Sequence, residues 1–341
     1  MDIADHAAGL LDTRPGWRIV PCPGCARGTG TARMTVRFDP PLRGTGRLVE
    51  CPACRLVWLN PQPSEDALVD TYPADEYYAY HYVETVCQGR GWYSRSTDQL
   101  RRWAIEVSIP ARLRRRPWWA RAALRVLTIP ARQRFHGIPA QDSGRLLDLG
   151  CGDGAFGVYM KEVGWSVCGV EFHPAGAARA RANGLEVYQG SFLRDELPWH
   201  SFDVVRLWHV LEHVSDPRQA LARAISLLKP GGELIVGVPN FSSPYQWLFG
   251  PRWAAIQAPQ HLLHFTEPTL RKMTDDAGFI DVRVWHASVG TGMSSLAAMC
   301  PKSWGPIVFN PASRAASILS DLVLDTFHFG DGLELRARRP G

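Results

Sequence analysis

The stretch that most constrains the fold of this chain begins at Arg145. Arg145-Leu-Leu-Asp-Leu149 is an apolar run of buried-strand type that feeds directly into Gly150-Cys-Gly152-Asp-Gly154. A helical stretch, Ala155 to Val163, follows, and then a second strand run, Ser166 to Val170, ended by Glu171. Further strand runs lie at Gly184–Tyr188, Phe202–Leu207 and Glu233–Val238. The helix between Asp216 and Leu228 carries a Ser215/Asp216 cap, Pro217 in its first turn, and a stop at Lys229-Pro-Gly-Gly232. Strands alternating with helices build a parallel sheet with helices on both faces.

Taken literally, Gly152-x-Gly154-x-x-Gly157 fits a dinucleotide fingerprint with an acid on the next strand, the pattern of a nicotinamide-dependent oxidoreductase. The frame is shifted, because the glycines that turn the chain just after the strand are Gly150, Gly152 and Gly154, preceded by Asp148. In that frame Asp148 to Gly154, Glu171, Trp208-His-Val-Leu-Glu-His213 and Leu228-Lys-Pro-Gly-Gly232 resemble class I S-adenosylmethionine-dependent methyltransferases in order and spacing. Pro239-Asn240, His261-Leu-Leu-His-Phe-Thr266 and Ala277-Gly-Phe279 extend the likeness towards a bacterial branch that often carries an amino-terminal zinc ribbon. The resemblance covers residues 22 to 82 and about 141 to 285, with Gly332–Ala337 as a last strand. It implies a Rossmann-like seven-stranded methyltransferase sheet with one antiparallel strand near its edge.

The resemblance also implies S-adenosyl-L-methionine as cofactor and a set of residues that hold it. Gly150, Cys151 and Gly152 would pass beneath its methionine part, with helix-start N–H groups facing the carboxylate. Asp148 would hold that loop near the amino group, and Glu171 would accept from both ribose hydroxyls. Ser191 and Phe192 would adjoin the adenine, where many relatives carry an acid or Asn in place of Ser191. Leu207, Trp208 and His209 would line the cofactor.

The sulfonium of such a cofactor is already activated, so the protein supplies alignment, a dry site and, for a protonated nucleophile, a base. His261 and His264 are the first candidates for that base and His209 the third. His213 reads as structural, and Glu212-His213 as buttressing a helix start. His209-Val-Leu-Glu-His213 also spells the H-x-x-E-H motif of a helix-borne zinc protease, but it follows a parallel strand and shows no third ligand on a nearby helix. Tyr245-Gln-Trp-Leu-Phe-Gly250 and Trp253 are expected to form an apolar lid.

Two further features lie upstream. Cys22-Pro-Gly-Cys25 and Cys51-Pro-Ala-Cys54 repeat one design with 25 residues between the pairs. Each CxxC turn aims two thiolates at one point, and two turns complete a closed, structural S4 zinc site, a zinc ribbon. Tyrosines from Tyr72 to Tyr82 are expected to pack a docking segment. The net charge of +5 is regional: residues 90–134 hold twelve Arg against Asp98 and Glu106, interleaved with Trp92, Trp103, Trp118 and Trp119. That block reads as a helical insertion whose candidate partners are an anionic membrane surface or a phosphate-bearing substrate, in preference to nucleic acid.

The expected organisation is a zinc ribbon and docking segment over 1–88, the basic helical insertion over 89–140, and the methyltransferase domain over 141–341. A substrate-side cap spans about 241–331. No apolar run approaches the roughly 20 residues of a membrane span, and Met1 to Arg14 lacks an apolar signal core, so a cytoplasmic enzyme, peripheral at most to the inner membrane surface, is expected. The expected reaction is methyl transfer to an O, N or C nucleophile of a small-molecule or carbohydrate-like acceptor. A zinc-ribbon binding protein with a vestigial cofactor fold is the alternative.

Overall fold

The computed structural model describes residues 14–39, 42–64, 67–68, 71–72, 103, 106–107, 109–127, 136–197, 201–300 and 310–341. Strands β1 (Trp17–Arg18), β2 (Thr31–Arg37), β3 (Thr45–Glu50), β4 (Val57–Leu59) and β5 (Gln62–Pro63) come first. Helices α1 (Pro110–Arg114) and α2 (Trp118–Leu127) follow. The α/β body then runs β6 (Arg145–Leu149), α3 (Ala155–Glu162), β7 (Ser166–Glu171), α4 (Pro174–Ala182), β8 (Glu186–Gln189), β9 (Phe202–Trp208), α5 (Pro217–Leu227) and β10 (Leu228–Pro239). It continues through α6 (Pro244–Phe249), β11 (Leu263–His264), α7 (Glu267–Asp276), β12 (Ile280–Ala287), α8 (Thr291–Met299), α9 (Pro311–Thr326) and β13 (Gly332–Arg338).

Seven strands form one sheet in the order β12-β13-β10-β9-β6-β7-β8, and β13 alone runs antiparallel to its neighbours β10 and β12. This is the seven-stranded Rossmann-like sheet that the sequence implies. The order reverses around β6 and β9, so the loops after these two strands open a crevice at their carboxyl ends. The strand interiors are apolar because both faces are covered: Leu146, Leu147, Leu149, Val204, Val205 and Leu207 are fully buried. Asp216 caps α5 by accepting from the Gln219 N–H, and Pro217 opens its first turn, as the sequence signals. β10 starts earlier than its apolar run, at Leu228, with a register shift before Glu233 where the Pro-Gly-Gly segment passes.

The amino-terminal strands build a second sheet, ordered β11-β4-β3-β2. Its fourth strand comes from the carboxyl-terminal half: Leu263 and His264 pair with Trp58 and Val57, and the Leu59 N–H donates to the Leu262 carbonyl at 2.9 Å. The cysteine-bearing segment is therefore continuous in its hydrogen bonding with the loop after β10.

Of residues 90–134, the described part is largely α1 and α2. Several arginines there are engaged internally: Arg112 with Asp142 at 2.7 Å and with the Val163 carbonyl, Arg115 with Asp142 at 3.2 Å, and Arg116 with Glu106 at 2.6 Å. Trp118 is 74% exposed and Trp119 is exposed beside it, while Trp92 lies outside the described residues. Among the described residues no helix is long and apolar enough to cross a membrane.

Candidate active site

At the carboxyl ends of β6, β7 and β9 lies a cavity of about 410 Å³. One half is built mainly from backbone. Gly150 holds φ +72°, a conformation open to glycine, and a Cβ there would collide with Val210. Gly154 caps α3 at φ +80°, where a Cβ would press on Ala180 of α4. Glu171, buried at the tip of β7, ties this loop together: Oε2 accepts from the Gly152 N–H at 2.9 Å and Oε1 from the His173 N–H at 2.9 Å. Burial pushes its carboxyl up to about 7, against the opposing pull of those two backbone donors.

Asp148 and Cys151 also line the cavity. Asp148 is buried and accepts from Arg206 Nη1 at 2.8 Å, its direct register partner on β9. Burial pushes the Asp148 carboxyl up and the Arg206 guanidinium down, and each group's charge opposes that drift in the other. Arg206 lies over Phe156 at 3.7 Å from the ring centroid. The Cys151 thiol is pushed up by burial and packs beneath the loop against Gly169.

Arg206 is not among the residues that the resemblance implies. The available signal was a lone cation inside the apolar run 202–207, opposite a lone acid in 145–149. Ser191 and Phe192 line the cavity, and the acid expected at Ser191 stands four residues on, where Asp195 Oδ2 accepts from the Ser191 N–H at 2.8 Å.

The other half is built from side chains on distant segments. Trp208 and His209 line it, with Tyr72, His136 and His213. His209 has a left-handed φ of +53°, and its Nδ1 lies 3.0 Å from Glu212 Oε1. Residues 209–213 form an irregular turn, so the helix on which His209 and His213 would share a face is absent; the next helix, α5, begins at Pro217. His213 Nδ1 contacts Tyr72 Oη at 2.8 Å and the Gln260 carbonyl at 3.0 Å. Of the tyrosines expected to pack a docking segment, Tyr72 instead reaches the cavity, and the others lie outside the described residues.

Three expectations are displaced. Leu207 is fully buried in the core and does not line the cavity, because alternation along β9 puts Arg206 and Trp208 on the cavity face. His261 and His264 are buried and stand outside the lining. The His261 Nδ1 lies 2.8 Å from the Ala255 carbonyl and its ring meets His213 edge-on at 4.6 Å, while His264 sits in β11 against Phe241. Burial lowers His264 to about 3 and His261 well below the usual imidazole range. The expected lid is not one: Trp253 is a core residue donating to Thr291 Oγ1 at 2.8 Å, and Trp247 points outward, 84% exposed.

The four cysteines of the CxxC pairs converge, all Sγ atoms lying within 4.8 Å of one another. Cys22 and Cys54 are 3.4 Å apart and Cys25 and Cys51 3.5 Å, close to the ligand edge of a tetrahedral thiolate site, so the residues fit a zinc ion. Burial raises the Cys54 thiol to about 11, whereas at Cys51 the Cys54 and Ala53 backbone donors outweigh burial and hold it at about 7.

Residues 118–284 match a family model described as a methyltransferase domain. A ubiquinone biosynthesis O-methyltransferase of Idiomarina loihiensis is 33% identical over 160 residues, 41% of this chain and 63% of that protein. An uncharacterized methyltransferase of Synechocystis sp. is 29% identical over 194 residues, 53% of this chain and 89% of that protein. Among solved structures, a Haemonchus contortus phosphoethanolamine N-methyltransferase in complex with S-adenosyl-L-methionine aligns at TM-score 0.45 with 18% identity, over 84% of this chain and 63% of that one. The chain thus spans under two thirds of the length of the first of these relatives. Residues 118–284 are thus a methyltransferase domain, and its glycine loop and strand order are those of the class I S-adenosylmethionine-dependent methyltransferases.

Proposed function

We propose that this protein transfers the methyl group of S-adenosylmethionine to a nucleophile of a small-molecule acceptor, with His209 as the base when that nucleophile starts protonated. The observation that carries the reading is one cavity with two chemically different halves. A glycine-walled cradle closed by Glu171 faces a lining of Trp208, His209, His213 and Tyr72. When bound, the cofactor supplies an electrophilic methyl on a sulfonium.

The chain's own residues do the rest. Gly150 to Gly154 leave room for the methionine end and present backbone donors. Glu171 has lone pairs to accept from a ribose diol. Trp208, His136 and Tyr72 wall the acceptor side. With its Nδ1–H donated to Glu212 Oε1, His209 would offer Nε2 as proton acceptor, the orientation that a carboxylate imposes on an imidazole. His209 replaces His261 and His264 in this role because those rings lie outside the cavity lining.

The tetrathiolate is read as a closed, structural zinc site, held by Cys22, Cys25, Cys51 and Cys54. The O-methyltransferase named above is consistent with a hydroxyl acceptor and does not identify it. The arginine block stays outside this reading, since Arg112, Arg115 and Arg116 are engaged by Asp142 and Glu106. Cell extract incubated with methyl-labelled S-adenosylmethionine and the purified protein is the test. A labelled small molecule, absent with Glu171→Ala, is expected; no cofactor binding by titration calorimetry would sink the enzyme reading in favour of a vestigial fold.

A further inference from the structure

We propose that Glu212, His213 and His261 bind a divalent transition-metal ion beside the acceptor half of the cavity. One ligand atom of each lies within 4.8 Å of the other two. The sequence motif offered His209 and His213 as ligands without a third; the fold instead groups His213 with Glu212 and brings His261 from the loop before β11. The Leu262 and Leu263 N–H groups both donate to the Glu212 carbonyl, at 2.8 and 3.0 Å, which fixes this loop against the 209–213 turn.

The two imidazoles are set as metal ligands usually are. His261 directs Nδ1 at the Ala255 carbonyl, and His213 directs Nδ1 at the Gln260 carbonyl with Tyr72 Oη beside it at 2.8 Å; since a carbonyl only accepts, an Nδ1–H on each ring, with Tyr72 Oη as a second acceptor, leaves the lone pair on Nε2. A separate observation points to a cation. Glu212 is 0% exposed, Oε1 faces His209, and Oε2 is buried with no hydrogen-bond partner. A carboxylate oxygen without a donor in the interior is costly, and a bound cation removes the cost.

Two imidazoles and one carboxylate suit manganese, iron(II), cobalt or zinc better than magnesium or calcium, and they leave coordination positions open. His213 faces the cavity, so an open position there would take an acceptor oxygen. The role towards the acceptor rests on the methyl-transfer reading above. An acceptor hydroxyl so held would lose its proton to His209 as its oxygen forms the new O–C bond, while the S–C pair returns to sulfur.

Manganese tests the site, because thiolates hold it poorly and the tetrathiolate would not compete. Titration of the full chain with Mn2+, followed by loss of the free-ion paramagnetic resonance signal, should show one ion per chain. Glu212→Gln and His261→Gln should each weaken that binding by about tenfold or more while S-adenosylmethionine affinity by calorimetry stays within about twofold. No Mn2+ bound by the wild type, or equal binding in both variants with cofactor binding intact, would overturn the ion site and leave the methyl-transfer reading standing. One Mn2+ bound by a chain that takes no S-adenosylmethionine would keep the site and sink that reading.

Discussion

The two halves of the cavity are made of different material. The cofactor half uses main chain from one continuous stretch, 148–154, closed by Glu171, whose two oxygens accept from the Gly152 and His173 N–H groups. The acceptor half uses side chains from residues 72, 136, 208–210 and 213, and the layer behind it keeps buried atoms without a hydrogen-bond partner: Glu212 Oε2, Gln260 Oε1 and His264 Nε2. A ligand common to a whole family can be met by backbone geometry. One particular to this chain is met by side chains on elements free to vary.

The sharpest way to break that division is His209→Gln. It should lower kcat by about 10²- to 10⁴-fold for a proton-bearing acceptor and leave cofactor affinity unchanged; an equal loss of cofactor affinity would erase the boundary between the halves. Next in size, Arg206→Met strands Asp148 as an unpaired buried charge beneath the cofactor half. A loss of about 3–5 kcal/mol in denaturant unfolding is expected, largely recovered in Asp148→Asn/Arg206→Met. Recovery would show that the pair sets geometry more than stability.

Glu171→Ala should weaken S-adenosylmethionine binding by about 2–3 kcal/mol, roughly 30- to 150-fold in Kd by calorimetry, without altering acceptor preference. The smallest effect is its pH counterpart. The Glu171 carboxyl, raised to about 7 by burial, is ionised above that pH, and in the proposed contact it would then accept from both ribose hydroxyls. As pH falls through 7 it gains a proton and loses acceptor capacity, so affinity should drop by up to about tenfold per pH unit. A flat profile between pH 6 and 8 would place the carboxylate outside the binding contact.

The legibility of the sequence follows the same division. β6, β7, β9, α5 and β13 stand within a residue or so of their apolar runs, because a buried parallel strand and a capped helix are encoded locally. Gly150, Gly152 and Glu171 could be read for the same reason. Leu207 stands apart from the cavity because its assignment came from the resemblance, whereas the two-residue alternation along β9 turns Arg206 and Trp208 to the cavity. His264 was misplaced because β11, two residues long, has no period of its own, and only pairing with β4 defines it. Tyr72 and His261 both meet His213 through tertiary contacts that no spacing announces.

The pairing of β11 with β4 also has a consequence for how the chain is made. Val57 and Trp58 leave the ribosome long before His264 and Leu263, the residues that complete their sheet. Until then one edge of β4 presents unpaired main-chain groups, the kind of edge that invites association with other chains. The last step of assembling this small sheet is thus coupled to synthesis of the body, and a truncation before residue 263 would leave an adhesive fragment rather than an independent module.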